Sequence, residues 1–248
     1  MMRMEALTTM PSELKDRILF EDNHLIVINK LPGELVQGDE SGDETLADKV
    51  KTYLKETYHK EGNVYLGIPH RLDRPTSGIV IYTKTEKALV RLNESFKSKD
   101  VKKVYWAIVD KLPEKSEGTL VHYIFRNSKT NKSVAFPVEN QGSKLAKLDY
   151  KVIAQGERYF LLEIHLHTGR HHQIRAQLAA IGIHIKGDLK YGAARSNPDG
   201  GICLHARSVT FTHPVRKQPL MIVAEPPEDN LWNALKAQAE KESSPQGK

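Results

Sequence analysis

Apolar and polar positions along this chain switch repeatedly between a two-residue and a helical period. Ile18–Phe20 and Leu25–Ile28 are short apolar runs around Asp22–Asn23, which predicts two brief buried strands joined by a turn. Lys30–Gly33 breaks the pattern and opens a polar loop through Gly42. Ser41 and Glu44 stand at capping-box spacing, and Leu46, Val50, Tyr53 and Leu54 then recur at helical intervals to about Tyr58. Gly78–Thr83 is β-branched and reads as a strand. Thr85 is placed to cap a helix that buries Ala88, Leu89, Leu92 and Phe96.

Lys102–Asp110 alternates, with Val104, Trp106 and Ile108 on one face and Lys103, Tyr105, Ala107 and Val109 on the other. Residues 111–142 are rich in Lys, Ser, Asn and Gly, which suits exposed turns carrying short strands. Leu148–Ala154 and Arg158–His167 predict a hairpin turning at Gln155–Glu157. Thr168 and Gly169 precede a helix marked by Ile174, Leu178 and Ile181, ended by Gly182. Arg207–Thr212 reads as a strand and Asp229–Lys241 as a terminal helix. Strands in runs with helices interspersed predict an α+β fold. Without a repeat or a long linker, the expected organisation is an extension over 1–17, one domain over 18–241 and a frayed tail over 242–248.

Composition narrows the function classes only slightly. Lys and Arg number 37 against 31 Asp and Glu, a net charge of +6, which favours a polyanionic partner without specifying one. The single Cys203 excludes an intramolecular disulfide and a cysteine-rich zinc site. Met1–Lys15 carries no apolar core of a secretory signal, and no stretch approaches the roughly 18 apolar residues of a membrane span. A cytoplasmic protein is expected.

Three segments carry candidate chemistry. In His70–Gly78, Asp73 lies between Arg71 and Arg74, and nearby positive charge keeps a carboxylate ionised and usable as nucleophile or base. A salt-bridged surface loop is the plainer reading. In Lys102–Trp106, Lys103 and Tyr105 share a face, fit for a phosphate and an unstacked base; equally, Tyr105 is a half-buried strand residue beside solvated lysines. In Leu166–Arg175, His171 and Arg175 stand four apart at a helix start that favours anions. The crowded His165, His167, His171 and His172 offer a metal site as the rival, but neither a metalloprotease helix motif nor a cysteine ligand accompanies them.

Together these segments resemble the RluA-type RNA pseudouridine synthases. His70–Gly78 is similar to the family signature H-R-L-D-x-x-T-S-G, and Lys103-Val104-Tyr105 to K-x-Y. Thr168–Arg175 is similar to T-G-R-x-H-Q-I-R, and Ile185–Asp188 with Tyr191-Gly192 to I-x-G-D-x-x-Y-G. Ile28–Gly33 resembles the N-K-P-x-G opening, departing by Leu31 before Pro32. The resemblance covers most of the chain, from about Phe20 to Pro227.

The resemblance implies a central mixed, largely antiparallel sheet with flanking helices and an RNA-binding cleft. It implies Asp73 as the catalytic aspartate, Tyr105 as the tyrosine against the target base, and Arg175 as the basic partner of Asp73. Arg71 corresponds to the arginine that fills the gap left by an extruded nucleotide, and Lys103 and Arg170 join it as RNA-binding residues. The implied reaction breaks the N1–C1′ bond of uridine and rejoins uracil through C5 in rRNA or tRNA. It is redox-neutral and gains no atom, so no cofactor, no metal and no membrane is expected, and a monomer is the default. The seventeen residues before the first strand are too few for the small N-terminal RNA-binding domain of many relatives. The catalytic domain is therefore expected to recognise RNA itself.

Overall fold

The computed structural model describes residues 13–39 and 42–243. The expected cap Ser41 and most of the expected N-terminal extension and tail lie outside them. Among the described residues, ten strands form one sheet that does not close: β1 (Ile18–Glu21), β2 (Leu25–Lys30), β3 (Ser77–Thr83), β4 (Lys102–Val109), β5 (Glu117–Asn127), β6 (Lys132–Phe136), β7 (Lys144–Gln155), β8 (Phe160–Leu166), β9 (Leu204–Thr212) and β10 (Pro219–Val223). Their order is β1-β2-β3-β9-β4-β8-β7-β5-β6, with β10 on β9. Every pairing is antiparallel except β3 with β9, so the sheet is mixed and largely antiparallel, as expected.

Four α-helices flank the sheet among the described residues: α1 (Leu46–Thr57), α2 (Glu86–Ser98), α3 (Gln173–Ala180) and α4 (Asn230–Ser243). β3 is buried along its whole length because both of its faces are covered. Val80 and Tyr82 pack with Leu46, Val50 and Leu54 of α1, while Ile79 and Ile81 join Ala88 and Leu92 of α2. A second core unites β4, β7, β8 and β9 with Ile174 and Leu178 of α3 and Trp232 and Leu235 of α4.

The caps follow local chemistry, with one correction. Thr85 caps α2 by accepting the Ala88 N–H, as its position predicts. α1 is capped by Thr45 instead of Ser41: Thr45 accepts the Asp48 N–H while the Asp48 carboxylate accepts from the Thr45 backbone and hydroxyl. Asp229 accepts the N–H groups of Leu231 and Trp232 at the start of α4.

Other departures concern length and placement. The polar stretch after residue 111 holds the eleven-residue β5, and β7 begins at Lys144 instead of Leu148, because both strands leave part of their length exposed and read as polar. β10 went unpredicted; it is five residues long and starts at a proline, which an edge position tolerates. Ile181 follows α3 as an exposed C-cap residue and adds nothing to its buried face.

The two halves of the sheet meet where β3 runs beside β9 over only two residue pairs, Ser77 with His205 and Gly78 with Ala206. Gly78 has φ +108°, and a Cβ there would collide with the Ala206 carbonyl, so glycine is required at this approach. The loop leading into β3 is anchored by Lys30, which is fully buried. Its Nζ donates to the carbonyls of Leu31 (3.0 Å), Arg74 (3.0 Å) and Thr76 (2.6 Å). Burial pulls this ammonium down to about 7, against the opposing pull of Glu34 and Asp73. Replacing Lys30 by Met strands three carbonyls, and urea denaturation should register a loss of about 2–4 kcal/mol.

Candidate active site

Asp73 sits in the tight loop before β3, where the Thr76 N–H donates to its carbonyl (3.0 Å). The same loop is tied to residues 31–33 by the Gly33 N–H to the Arg74 carbonyl (2.8 Å) and by Arg74 Nε to the Gly33 carbonyl (3.0 Å). This explains why Ile28–Gly33 and His70–Gly78, forty residues apart, occur together. Arg74 then extends to Asp43 (2.8 Å), and Arg71 is exposed on the cleft wall. The nearest cation on the Asp73 carboxylate therefore comes from elsewhere in the chain.

It comes from α3. Arg175 Nη1 lies 3.1 Å from Asp73 Oδ2, while its Nε and Nη2 donate to both oxygens of Asp188 at 2.7 and 2.8 Å. Arg175 is 5% exposed and Asp188 1%. The two carboxylates outweigh burial and raise the already high Arg175 pKa. Its guanidinium also lies 4.9 Å from the centre of the Tyr191 ring. Asp188 and Tyr191 belong to the downstream I-K-G-D and Y-G segments, whose part in the site could not be deduced from spacing.

The histidines sort differently from the expectation. α3 begins at Gln173, so His171 lies before the helix, and His172, at its N-cap, is the one that meets the site. His172 Nε2 is 3.5 Å from Asp73 Oδ2, and its Nδ1 is 2.9 Å from the Tyr191 hydroxyl. Burial first, then the Arg175 cation, pushes its pKa down to about 2. His171 stacks on His172 at 3.7 Å and meets Ser133 Oγ at 2.9 Å. His165 and His167 pair with Glu163 and Asp149, and no three metal-ligating side chains converge among the described residues.

Thr168 and Gln173 shape the turn that delivers these groups. The Gln173 amide oxygen accepts from the Thr168 hydroxyl (2.8 Å) and the Arg170 N–H (3.0 Å), and its Nε2 donates to the Lys147 carbonyl (3.1 Å). Arg170 is exposed, with Nε donating to the Leu145 carbonyl (2.9 Å). A Cβ at Gly169 would make ordinary contact with Lys103 Nζ at 3.4 Å, and both residues line the same cleft.

All six sequence-derived site residues line one open cleft of about 1160 Å³. Tyr105 is half-buried on its floor; burial, then the Asp73 charge, pushes its phenol above the usual range. Burial lowers the Lys103 ammonium, which lies 5.8 Å from the centre of the Phe96 ring. Nine Lys and Arg side chains line this cleft, including Lys97, Lys99, Lys102, Arg126 and Lys147, and Asp73 is the one acidic residue among the lining side chains described. The arrangement can hold a polyanion around a single aimed carboxylate.

Residues 24–180 match the family model described as RNA pseudouridylate synthase. The chain is 35% identical to an uncharacterised RNA pseudouridine synthase of Chlorobaculum parvum, over 92% of its own length and 76% of that protein. It is 31% identical to the ribosomal large subunit pseudouridine synthase D of Zymomonas mobilis, over 88% and 72%. The solved structure of human RNA pseudouridylate synthase domain containing 4 superposes with a TM-score of 0.74 at 24% identity, covering 92% of this chain and 94% of that one, and shares its fold. Matched by the family model over well over half its length and by relatives nearly end to end, the chain belongs to the RluA-type RNA pseudouridine synthases, isomerases that act on uridine in RNA.

Proposed function

We propose that this protein isomerises specific uridines in rRNA or tRNA to pseudouridine, with Asp73 as the catalytic carboxylate. The observation that carries the reading is a lone acid, ion-paired to Arg175, in a cleft whose lining carries nine Lys and Arg side chains. The names of relatives acting on the large ribosomal subunit support rRNA as the first substrate to test. The working unit is the single domain over 18–241, acting as a cytoplasmic monomer.

A uridine inside folded RNA is shielded, so the nucleotide is extruded into the cleft. Lys103 and Arg170 hold phosphates, Arg71 fills the gap in the stack, and Tyr105 packs against the uracil. Asp73 then acts on the ribose as a charged group, by attack at C1′ or by taking the C2′ proton. Either route breaks the N1–C1′ bond and frees uracil from the ribose. The ring turns, C5 bonds to C1′ as Asp73 departs or the C2′ proton is returned, the C5 proton is lost to a base, and N1 takes up a proton. Nothing is oxidised, and every atom of the uridine is retained apart from exchangeable protons. Arg175 pairs with the carboxylate and aims it, while Asp188 keeps Arg175 from swinging toward the phosphates.

Asp73→Asn keeps the side-chain shape and removes the charge. It should fold normally, bind RNA, and release no C5 tritium above background from labelled uridine in RNA; full activity would end the assignment. Carbodiimide-dependent primer-extension stops in RNA from cells with and without the gene should then identify the modified position. Addition of EDTA should leave the rate unchanged, whereas loss of activity on chelation would favour a histidine-bound metal. The depressed His172 pKa keeps its ring neutral and the raised Tyr105 pKa keeps its phenol protonated, so neither group changes charge near neutrality. The single-turnover pH–rate profile between roughly pH 6.5 and 9 should therefore carry no step from His172 or Tyr105, and any step near 7 should disappear in Lys30→Met, which removes the buried loop ammonium.

A further inference from the structure

Behind Asp73 runs a chain of polar groups that the reaction as described does not use. The Ser133 N–H donates to the Tyr191 hydroxyl oxygen (2.8 Å), leaving the hydroxyl proton for His172 Nδ1 at 2.9 Å. With Nδ1 accepting, the ring proton of a neutral His172 is placed on Nε2. That nitrogen faces Asp73 Oδ2 at 3.5 Å, the same oxygen approached by Arg175 Nη1 at 3.1 Å. No hydrogen bond or ion pair reaches Asp73 Oδ1 among the described residues.

Three further features single out His172. It occupies the N-cap of α3 yet makes no capping hydrogen bond with its side chain. Its backbone is left-handed at φ 52°, a conformation that a non-glycine residue keeps only where its surroundings demand it. It is clamped between the His171 ring, stacked at 3.7 Å, and the edge of Tyr191, with centroids 5.6 Å apart.

We infer that Tyr191 and His172 are positioning residues: Tyr191 fixes the His172 tautomer so that Nε2–H and Arg175 together hold Asp73 Oδ2 and leave Oδ1 as the reacting oxygen. The inference rests on Asp73 being the catalytic carboxylate. Burial and the Arg175 cation keep His172 neutral, as a tautomer-dependent donor requires. Burial likewise keeps Tyr191 a protonated phenol.

The test is a double-mutant cycle on single-turnover C5 tritium release, using total RNA labelled with 5-tritiated uridine from cells lacking the gene. RNA affinity and thermal unfolding are followed in parallel. Tyr191→Phe should slow the chemical step about ten-fold or more with RNA affinity unchanged, because with neither tautomer nor ring orientation held, about nine rings in ten or more present a bare nitrogen to Asp73 or rotate away. His172→Gln carries its amide donor near the Nε2 position and needs no tautomer set, so it should retain most of the rate. In that background, adding Tyr191→Phe should cost almost nothing. Equal slowing by Tyr191→Phe in both backgrounds would overturn the inference by making Tyr191 a packing residue only. A full rate in Tyr191→Phe itself would overturn it as well. Failure of the underlying reading looks different: Asp73→Asn would then be active, whatever the cycle gives.

Discussion

A guanidinium buried as deeply as that of Arg175 has to meet its charge with carboxylates, and here it meets two of them unequally. Asp188, itself buried, takes two of the three donors in a flat fork, a geometry that fixes the plane of the group. The remaining donor reaches Asp73, which is still 27% exposed on its side chain. One acid is thus structural and the other presented to solvent, and the cation between them transmits the rigidity of the core to the cleft. Counting the neutral histidine beside them, the trio carries one net negative charge at the bottom of a cationic trough. The cationic lining of the rim would attract an incoming polyanion toward the Asp73 carboxylate.

The same division of labour appears in the sheet. The loop bearing Asp73 stands at the start of β3, where the sheet is held together by two residue pairs with β9 and by a glycine that allows the backbones to touch. So slender a seam would leave the loop free to drift were it not for Lys30, whose contacts with the Arg74 and Thr76 carbonyls staple the loop to β2 from within. Tyr105 stands on β4, the other neighbour of β9, so the Asp73 loop and Tyr105 are separated by one strand. Precision in the cleft derives from these short connections in place of long stretches of regular pairing.

Much of this was legible in the residues. The unbroken apolar runs of β2 and β3, the Thr85-capped α2 and the α+β class all follow from patterning, because β3 is buried along its whole length and α2 turns a regular apolar face to it. What escaped has physical causes. β5 and the start of β7 expose many of their side chains, so their polar composition resembles loop. The helix starts at Gln173, past His171, so His172 meets the site in its place, since spacing specifies a face only when the first turn is known. The pairing of Asp73 with flanking arginines was the natural local reading, yet Arg74 turns to Gly33 and Asp43. Asp188 and Tyr191 sit in a short irregular segment with no period to decode, and only tertiary contact reveals what they hold.

Asp73 and Arg175 are 102 positions apart, and Asp188 and β9 come later still. A growing polypeptide on the ribosome therefore displays much of its basic surface long before its carboxylate acquires a cation or its sheet closes the seam. A chain ending before residue 204 would carry Asp73, Arg175 and Asp188 but lack β9, the strand that joins the two halves of the sheet, and the short seam beside the Asp73 loop would have no partner.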